Sequence, residues 1–76
     1  MKYIIKIGHK ENMRIKWSYY NGDTHKRLGE YFVDDFFLTS DKAKRYLNKK
    51  DAEKAAEKLY DKCSNVDIWL VEGVEE

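Results

Sequence analysis

Two histidines, one cysteine and a pair of adjacent aspartates are the residues of this sequence best suited to catalysis or metal binding. His9 and His25 lie in polar stretches, and neither has a second ligand at a spacing typical of zinc sites. Cys63 ends an apolar helical pattern, where a small buried side chain is the usual role. Asp34 and Asp35 are neighbours, so in an extended segment they point to opposite faces. We therefore expect no enzymatic activity, no metal site and no cofactor.

The charge of the chain is small in total but uneven along its length. Residues 1–50 hold twelve Lys and Arg against six Asp and Glu, whereas residues 51–76 hold three against eight. Such blocks predict one basic and one acidic region.

The 76 residues predict a single domain, 1–76. One cysteine fits a reducing compartment, lysines interrupt the apolar start, and no apolar run could cross a membrane. We therefore expect a cytoplasmic protein.

A helix near the carboxyl end is the clearest predicted element. Asn48 suits the N-cap, with Asp51 at the third helical position. The apolar stripe at helical spacing consists of Ala52, Ala55, Ala56, Leu59, Tyr60 and Cys63. This stripe predicts a helix that ends near Cys63 and approaches a sheet closely through its alanines. Ser40 predicts a further short turn over residues 41–46.

A hairpin precedes this helix in the sequence. Residues 2–7 and 13–20 predict two strands, with residues 8–12 as the loop between them. One register gathers nearly all strongly apolar side chains on one face. Its pairs are Ile7 with Met13, Ile5 with Ile15, and Tyr3 with Trp17.

The remaining segments complete a small α+β fold. Residues 21–29 predict a loop, and residues 31–33 a short strand that could pair with residues 15–20. Residues 66–72 predict a strand that is apolar on both faces, as in the centre of a sheet. The expected fold is a small antiparallel sheet with one main helix packed on one face, in the order β-β-(β)-α-β. The placement of residues 28–40 stays open.

Two surfaces of this fold could bind a partner. In the predicted register, basic side chains project away from the helix with apolar and aromatic ones between them. The loop 21–29 adds two cations beside a run of aromatic residues. The candidate partner-binding residues are Lys2, Lys6, Arg14, Lys16, Tyr20, Lys26, Arg27, Tyr31 and Trp69, with Ile4, Phe32, Phe36 and Phe37 beside them. Such a surface suits single-stranded nucleic acid or an acidic protein surface, and an ordinary solvated basic face also fits.

Residues 39–59, TSDKAKRYLNKKDAEKAAEKL, carry a resemblance to known proteins. The run resembles the A-K-R-[FY]…[EK]-A-E…A…L segment of short accessory proteins encoded by phages of Gram-positive bacteria. Those proteins also begin with a Tyr- and Ile-rich hairpin and end in a Val-rich strand. Some phage proteins of this size are anti-CRISPR or other anti-defence inhibitors. The resemblance implies a non-enzymatic inhibitor that blocks a host protein, for example a defence nuclease complex. A small nucleic-acid-binding accessory protein is the first alternative, and a structural or interaction module with no inhibitory role is the second.

Overall fold

The computed structural model describes residues 1–34 and 38–75. It confirms the predicted α+β class. In chain order the elements are β1 (Lys2–Glu11), β2 (Arg14–Tyr19), β3 (Thr24–Arg27), β4 (Glu30–Val33), a short 3-10 helix (Ser40–Lys42), α1 (Lys49–Lys62) and β5 (Ile68–Val74). The predictions made for Asp35, Phe36 and Phe37 lie outside the described residues.

The main sheet has three antiparallel strands in the order β2-β1-β5, and α1 packs on one face of it. We call the side toward α1 the inner face and the opposite side the outer face. Ile5 and Ile7 of β1 point inward and are essentially fully buried. They pack against the helix stripe Ala52, Ala56 and Leu59. The small side chains of this stripe let the helix lie close to the sheet, as its alanine content predicts.

The helix begins and ends close to where it was predicted, but Tyr60 of the predicted apolar stripe is 52% exposed. The Asn48 side chain accepts a hydrogen bond from the backbone N–H of Asp51 at 3.0 Å, so it is the N-cap. The helix ends at Lys62, and Cys63 follows as a buried residue of the core. The turn predicted over residues 41–46 with Ser40 as its cap is instead the 3-10 helix Ser40–Lys42, whose N-cap is Thr39. Tyr46 exchanges two backbone hydrogen bonds with Tyr3. Within the described residues, no helix is long and apolar enough to cross a membrane.

The hairpin exists, but its predicted register is wrong. The structure pairs Ile7 with Ser18, and the turn consists of only Asn12 and Met13. Both turn residues have positive φ, 49° and 67°, which is the two-residue turn that best fits the twist of a hairpin. The predicted register differs from the observed one by an odd number of residues. An odd shift moves every side chain of β2 to the other face.

The last strand is also placed differently from its prediction. It covers Ile68–Val74 rather than residues 66–72, and it lies at the edge of the sheet, with β1 in the centre. It is apolar on both faces for a different reason. Trp69 and Val71 pack on the core, whereas Ile68 and Leu70 contribute to the outer face.

Residues 24–33 form a second ribbon, in which β3 pairs with β4. The prediction of a loop over residues 21–29 and of pairing between residues 31–33 and β2 is therefore wrong. Asn65 holds this ribbon in place: its side chain accepts from the N–H of Val33 at 3.0 Å and donates to the Val33 carbonyl at 2.9 Å. A backbone bond from Ser64 N–H to the Tyr31 carbonyl adds to this attachment.

The turn of the second ribbon leads to a stability prediction. Leu28 has φ 52° and is 97% exposed, so it occupies a left-handed conformation and makes little contact in return. Gly29 follows with φ 83°. Leu28→Asn creates the Asn-Gly pair preferred in such turns. We expect it to raise the free energy of unfolding by about 1 kcal/mol, measured by urea denaturation. Leu47→Asn, at another exposed leucine without positive φ, should change it little.

Candidate protein-binding face

The outer face of the main sheet carries several exposed apolar side chains. Cross-strand partners share a face, so the register defines its members. They are Lys2, Ile4, Lys6, Gly8 and Lys10 of β1, Ile15, Trp17 and Tyr19 of β2, and Ile68, Leu70, Glu72 and Val74 of β5. Three of the large apolar side chains remain open to solvent: Ile15 is 41% exposed, Ile68 37% and Leu70 47%.

The centre of the outer face is a cluster built over a glycine. Gly8 is buried, and a Cβ placed there would lie 2.9 Å from Cγ2 of Ile15 and 3.1 Å from Cζ3 of Trp17. Cγ2 of Ile68 is closer still. The absence of a side chain at position 8 therefore lets residues from both edge strands meet across the central strand. This arrangement makes one continuous apolar patch of side chains that would otherwise be separated.

Charge on this face is mostly positive. Lys6 lies with its Nζ 5.0 Å from the centre of the Trp17 ring and 3.8 Å from Oε1 of Glu72. It therefore contacts an aromatic face and a carboxylate together. Lys2 and Lys10 lie near the two ends of β1, so a cation borders the patch at each end.

The structure brings only part of the predicted basic face together. Lys2 and Lys6 project outward as expected. Arg14 and Lys16 do not, because Arg14 pairs with Glu11 and Lys16 with His9 at positions that share the side of Ile7. The predicted like-charge contact between Lys6 and Arg14 is absent, since Lys6 pairs with Tyr19. The face is consequently less basic and more apolar than the sequence predicted.

Two aromatic residues that were predicted to lie on the outer face lie on the inner face instead. Tyr20 and Trp69 pack against the core on the inner face. The backbone N–H of Tyr20 donates to the Ile5 carbonyl, which fixes it beside an inward residue. Burial raises the pKa of the Tyr20 phenol, and it raises that of its neighbour Tyr46 to about 12. Both tyrosines are partly buried against the core and lie away from the outer face.

The remaining predicted contact residues lie on the second ribbon. Tyr31 has two lysines over its ring, with Nζ of Lys26 at 5.5 Å and Nζ of Lys62 at 4.3 Å from the ring centre. Its ring is partly buried against the core, so it is less accessible than predicted. Arg27 is exposed and lines a cleft of about 280 Å³ between the ribbon and the main sheet.

Both histidines line the same cleft, each beside a carboxylate. Nδ1 of His9 lies 3.0 Å from Oδ2 of Asp67, and Nδ1 of His25 lies 3.2 Å from Oδ1 of Asp34. The Lys10 backbone N–H holds the pKa of Asp67 below its usual value, and His9 adds to this effect. Within residues 1–34 and 38–75 no three His, Cys, Asp or Glu side chains are arranged to hold a metal ion.

Cys63 lies in a different environment from these histidines. It is 4% exposed within the core, and burial raises the pKa of its thiol. A raised pKa keeps the thiol protonated, which is the opposite of what a nucleophilic cysteine requires. Its position is that of a small apolar core residue.

Sequence reasoning missed the apolar members of the outer face, namely Ile15, Trp17, Tyr19, Ile68 and Leu70. It assigned the β2 residues to the core through the wrong register. The signal that could have placed them is Asn12, which suits a two-residue turn and starts β2 one residue after Met13. Gly8 within a strand was a second signal, because such a glycine often marks a close approach of other groups.

Comparison with known proteins found no matching family model, no similar curated protein and no similar solved structure. The outer face therefore has to be interpreted from its own chemistry. A centre of apolar and aromatic residues bordered by cations has the make-up of a protein contact surface.

Proposed function

We propose that this chain is a non-enzymatic binding protein that attaches to a partner protein through the outer face of its main sheet and blocks that partner's own contacts. The observation that carries this proposal is the continuous patch around Gly8, with Ile15, Ile68 and Leu70 each more than a third exposed. A chain of 76 residues has a small core, so leaving apolar side chains exposed forgoes a sizeable share of the burial that could stabilise it. A large exposed apolar patch typically marks an interaction site.

The charges of the face define the chemistry of the partner. Three lysines line the central strand, and Glu72 is the acidic member of the face. A second copy packed face to face would bring these rows of lysines together, which opposes association. The complementary surface is an apolar patch with carboxylates at its border.

The resemblance of residues 39–59 to phage accessory proteins favours a host defence protein as this partner, for example a CRISPR-Cas nuclease complex. Steric blockade then follows, because a partner surface occupied by the sheet is closed to other ligands. The action requires no catalytic group on this chain.

The proposal is tested with charge substitutions in the patch. Leu70→Asp and Ile15→Asp, on opposite edge strands, should each weaken binding to the partner by about 10- to 100-fold, because a carboxylate would be buried against apolar groups and near the partner's own carboxylates. Leu47→Asp is the matched control, since Leu47 is 75% exposed and lies outside the face. Partners captured by the original chain from a lysate of a Gram-positive host are purified, and each variant is titrated against them.

The expected pattern is loss with both face variants and affinity within about twofold for the control. Circular dichroism melting checks that each variant stays folded. Equal affinity of all three variants for every captured partner would exclude the outer face as the contact.

A nucleic-acid-binding role is the second candidate, and one observation favours it. Lys6 lies over the Trp17 ring beside Tyr19, and a cation next to stacking surfaces suits a single strand. Titration with oligonucleotides in a salt series separates the two roles. We expect no binding tighter than about 1 mM at low salt. Tight binding that falls steeply with salt and is lost in Lys6→Glu would replace the first proposal.

A further inference from the structure

The free edge of β5 differs from the other edge of the main sheet. Within the described residues, β1 is the only strand that pairs with β5. Its seven residues contain no proline and one charged residue, Glu72. The opposite edge strand β2 is shorter and carries Arg14 and Lys16, the kind of basic side chains that discourage pairing with another strand. A long, apolar edge without such protection is a template for one more strand.

The hydrogen bonds of β1 show which groups of β5 face the free edge. Tyr3 exchanges both backbone bonds with Tyr46, and the Ile5 carbonyl accepts from Tyr20, so odd-numbered residues of β1 face away from β5. Even-numbered residues of β1 therefore bond to β5, and their partners are Ile68, Leu70, Glu72 and Val74. The N–H and C=O groups at the free edge then belong to Trp69, Val71 and Gly73.

We propose that two copies of this chain associate by antiparallel pairing of β5 with β5 about a twofold axis at Val71. This register pairs all seven residues of the strand. Its pairs are Ile68 with Val74, Trp69 with Gly73, Leu70 with Glu72, and Val71 with itself. The pairs formed by free-edge residues supply about six backbone hydrogen bonds.

Charge and continuity both support a second copy as the occupant. In this register Glu72 lies opposite Leu70, so no like charges face each other directly. The net charge of +1 gives little repulsion between copies. The product is one continuous sheet in the order β2-β1-β5-β5-β1-β2, with both helices on one side. The two outer faces join into a single apolar surface. The inference is independent of the proposed function, because it concerns the edge of the sheet and the purified chain alone.

Sedimentation velocity of the purified chain tests the pairing. We expect a concentration-dependent species of twice the 9.1 kDa chain mass between about 1 µM and about 1 mM. Val71→Pro removes an edge N–H without removing a bond to β1, so it should stay folded and monomeric. Leu28→Asn, on the separate ribbon, and Ile15→Asp, on β2, should dimerise like the original chain.

A second modification covers the case in which Val71→Pro does not fold. The chain is short enough for chemical synthesis, and N-methylvaline at position 71 keeps the side chain while blocking the same N–H. A monomer for this form and a dimer for the unmodified synthetic chain support the proposal. A chain that stays monomeric at every concentration overturns it, as does a dimer that persists after N-methylation. If Ile15→Asp loses partner binding but still dimerises, the outer face and the free edge of β5 act as two independent contact surfaces.

Discussion

Asn65→Ala is expected to lower the free energy of unfolding by about 2–4 kcal/mol, because it removes two buried hydrogen bonds and leaves the Val33 N–H and C=O without partners. The Asn65 side chain is the bridge between the second ribbon and the segment that precedes β5, with bonds of 3.0 and 2.9 Å. Asn65 is 8% exposed and Val33 1%, so water cannot readily replace the lost groups. The amide is suited to this role because it both accepts and donates.

The measurement is urea denaturation followed by circular dichroism, in a Leu28→Asn background that leaves more stability to lose. Asn21→Ala is the matched control. The Asn21 side chain makes weaker contacts. It donates a hydrogen bond to Asp34 at 3.4 Å and accepts one from the exposed backbone N–H of Asp23. We expect Asn21→Ala to lower the free energy of unfolding by less than about 1 kcal/mol. Equal losses for both variants would show that Asn65 does not fasten the ribbon.

This bridge also shows why the sequence predicts some parts of the fold and not others. The helix was predictable because its N-cap, its apolar stripe and its last residue all lie within about four helical turns of one another in the sequence. Asn65 and Val33 are 32 residues apart, and neither residue type signals the other. The strand pair β3-β4 was hidden for a local reason. Its turn, Leu28-Gly29, lacks the asparagine or aspartate that usually marks a hairpin.

Most errors in the predicted face come from the register of the first hairpin, and Trp69 is a separate error in the facing of β5. The alternation of β2 correctly indicated a strand with one apolar side. Counting Met13 as a strand residue, and not as part of the turn, assigned that side to the core. Lys2 and Lys6 were placed correctly because they depend on β1 alone, whereas Arg14 and Lys16 depend on the register. The wrong register made the expected surface basic, whereas the observed surface is more apolar. The favoured partner therefore changes from one that is mainly acidic to one with an apolar patch.

Gly8→Ala tests the face and the fold together, and we expect it to cost about 2–3 kcal/mol of unfolding free energy because the added methyl group overpacks a closed cluster. Its Cβ would contact Ile15 at 2.9 Å and Ile68 more closely still, and both neighbours are held by their strands. Gly73→Ala is the matched control within the same sheet. There the nearest atom, at 2.9 Å, is Sδ of Met1, the far end of a flexible chain that can move away. This control should cost less than about 0.5 kcal/mol.

A double-mutant cycle assigns the cost to the contact itself. Ile68→Ala removes the atom nearest to the new methyl group, so Gly8→Ala should cost much less in that background, with a coupling of about 1 kcal/mol or more. Partner affinity is measured on the same proteins. Ile15, Trp17 and Ile68 must spread apart to admit the methyl group, and this changes the shape of the patch. We therefore expect the free energy of unfolding and the partner affinity to fall together. A fully additive cycle would mean that the three side chains do not close over Gly8, and the outer face would then lack the continuous centre on which a partner could dock.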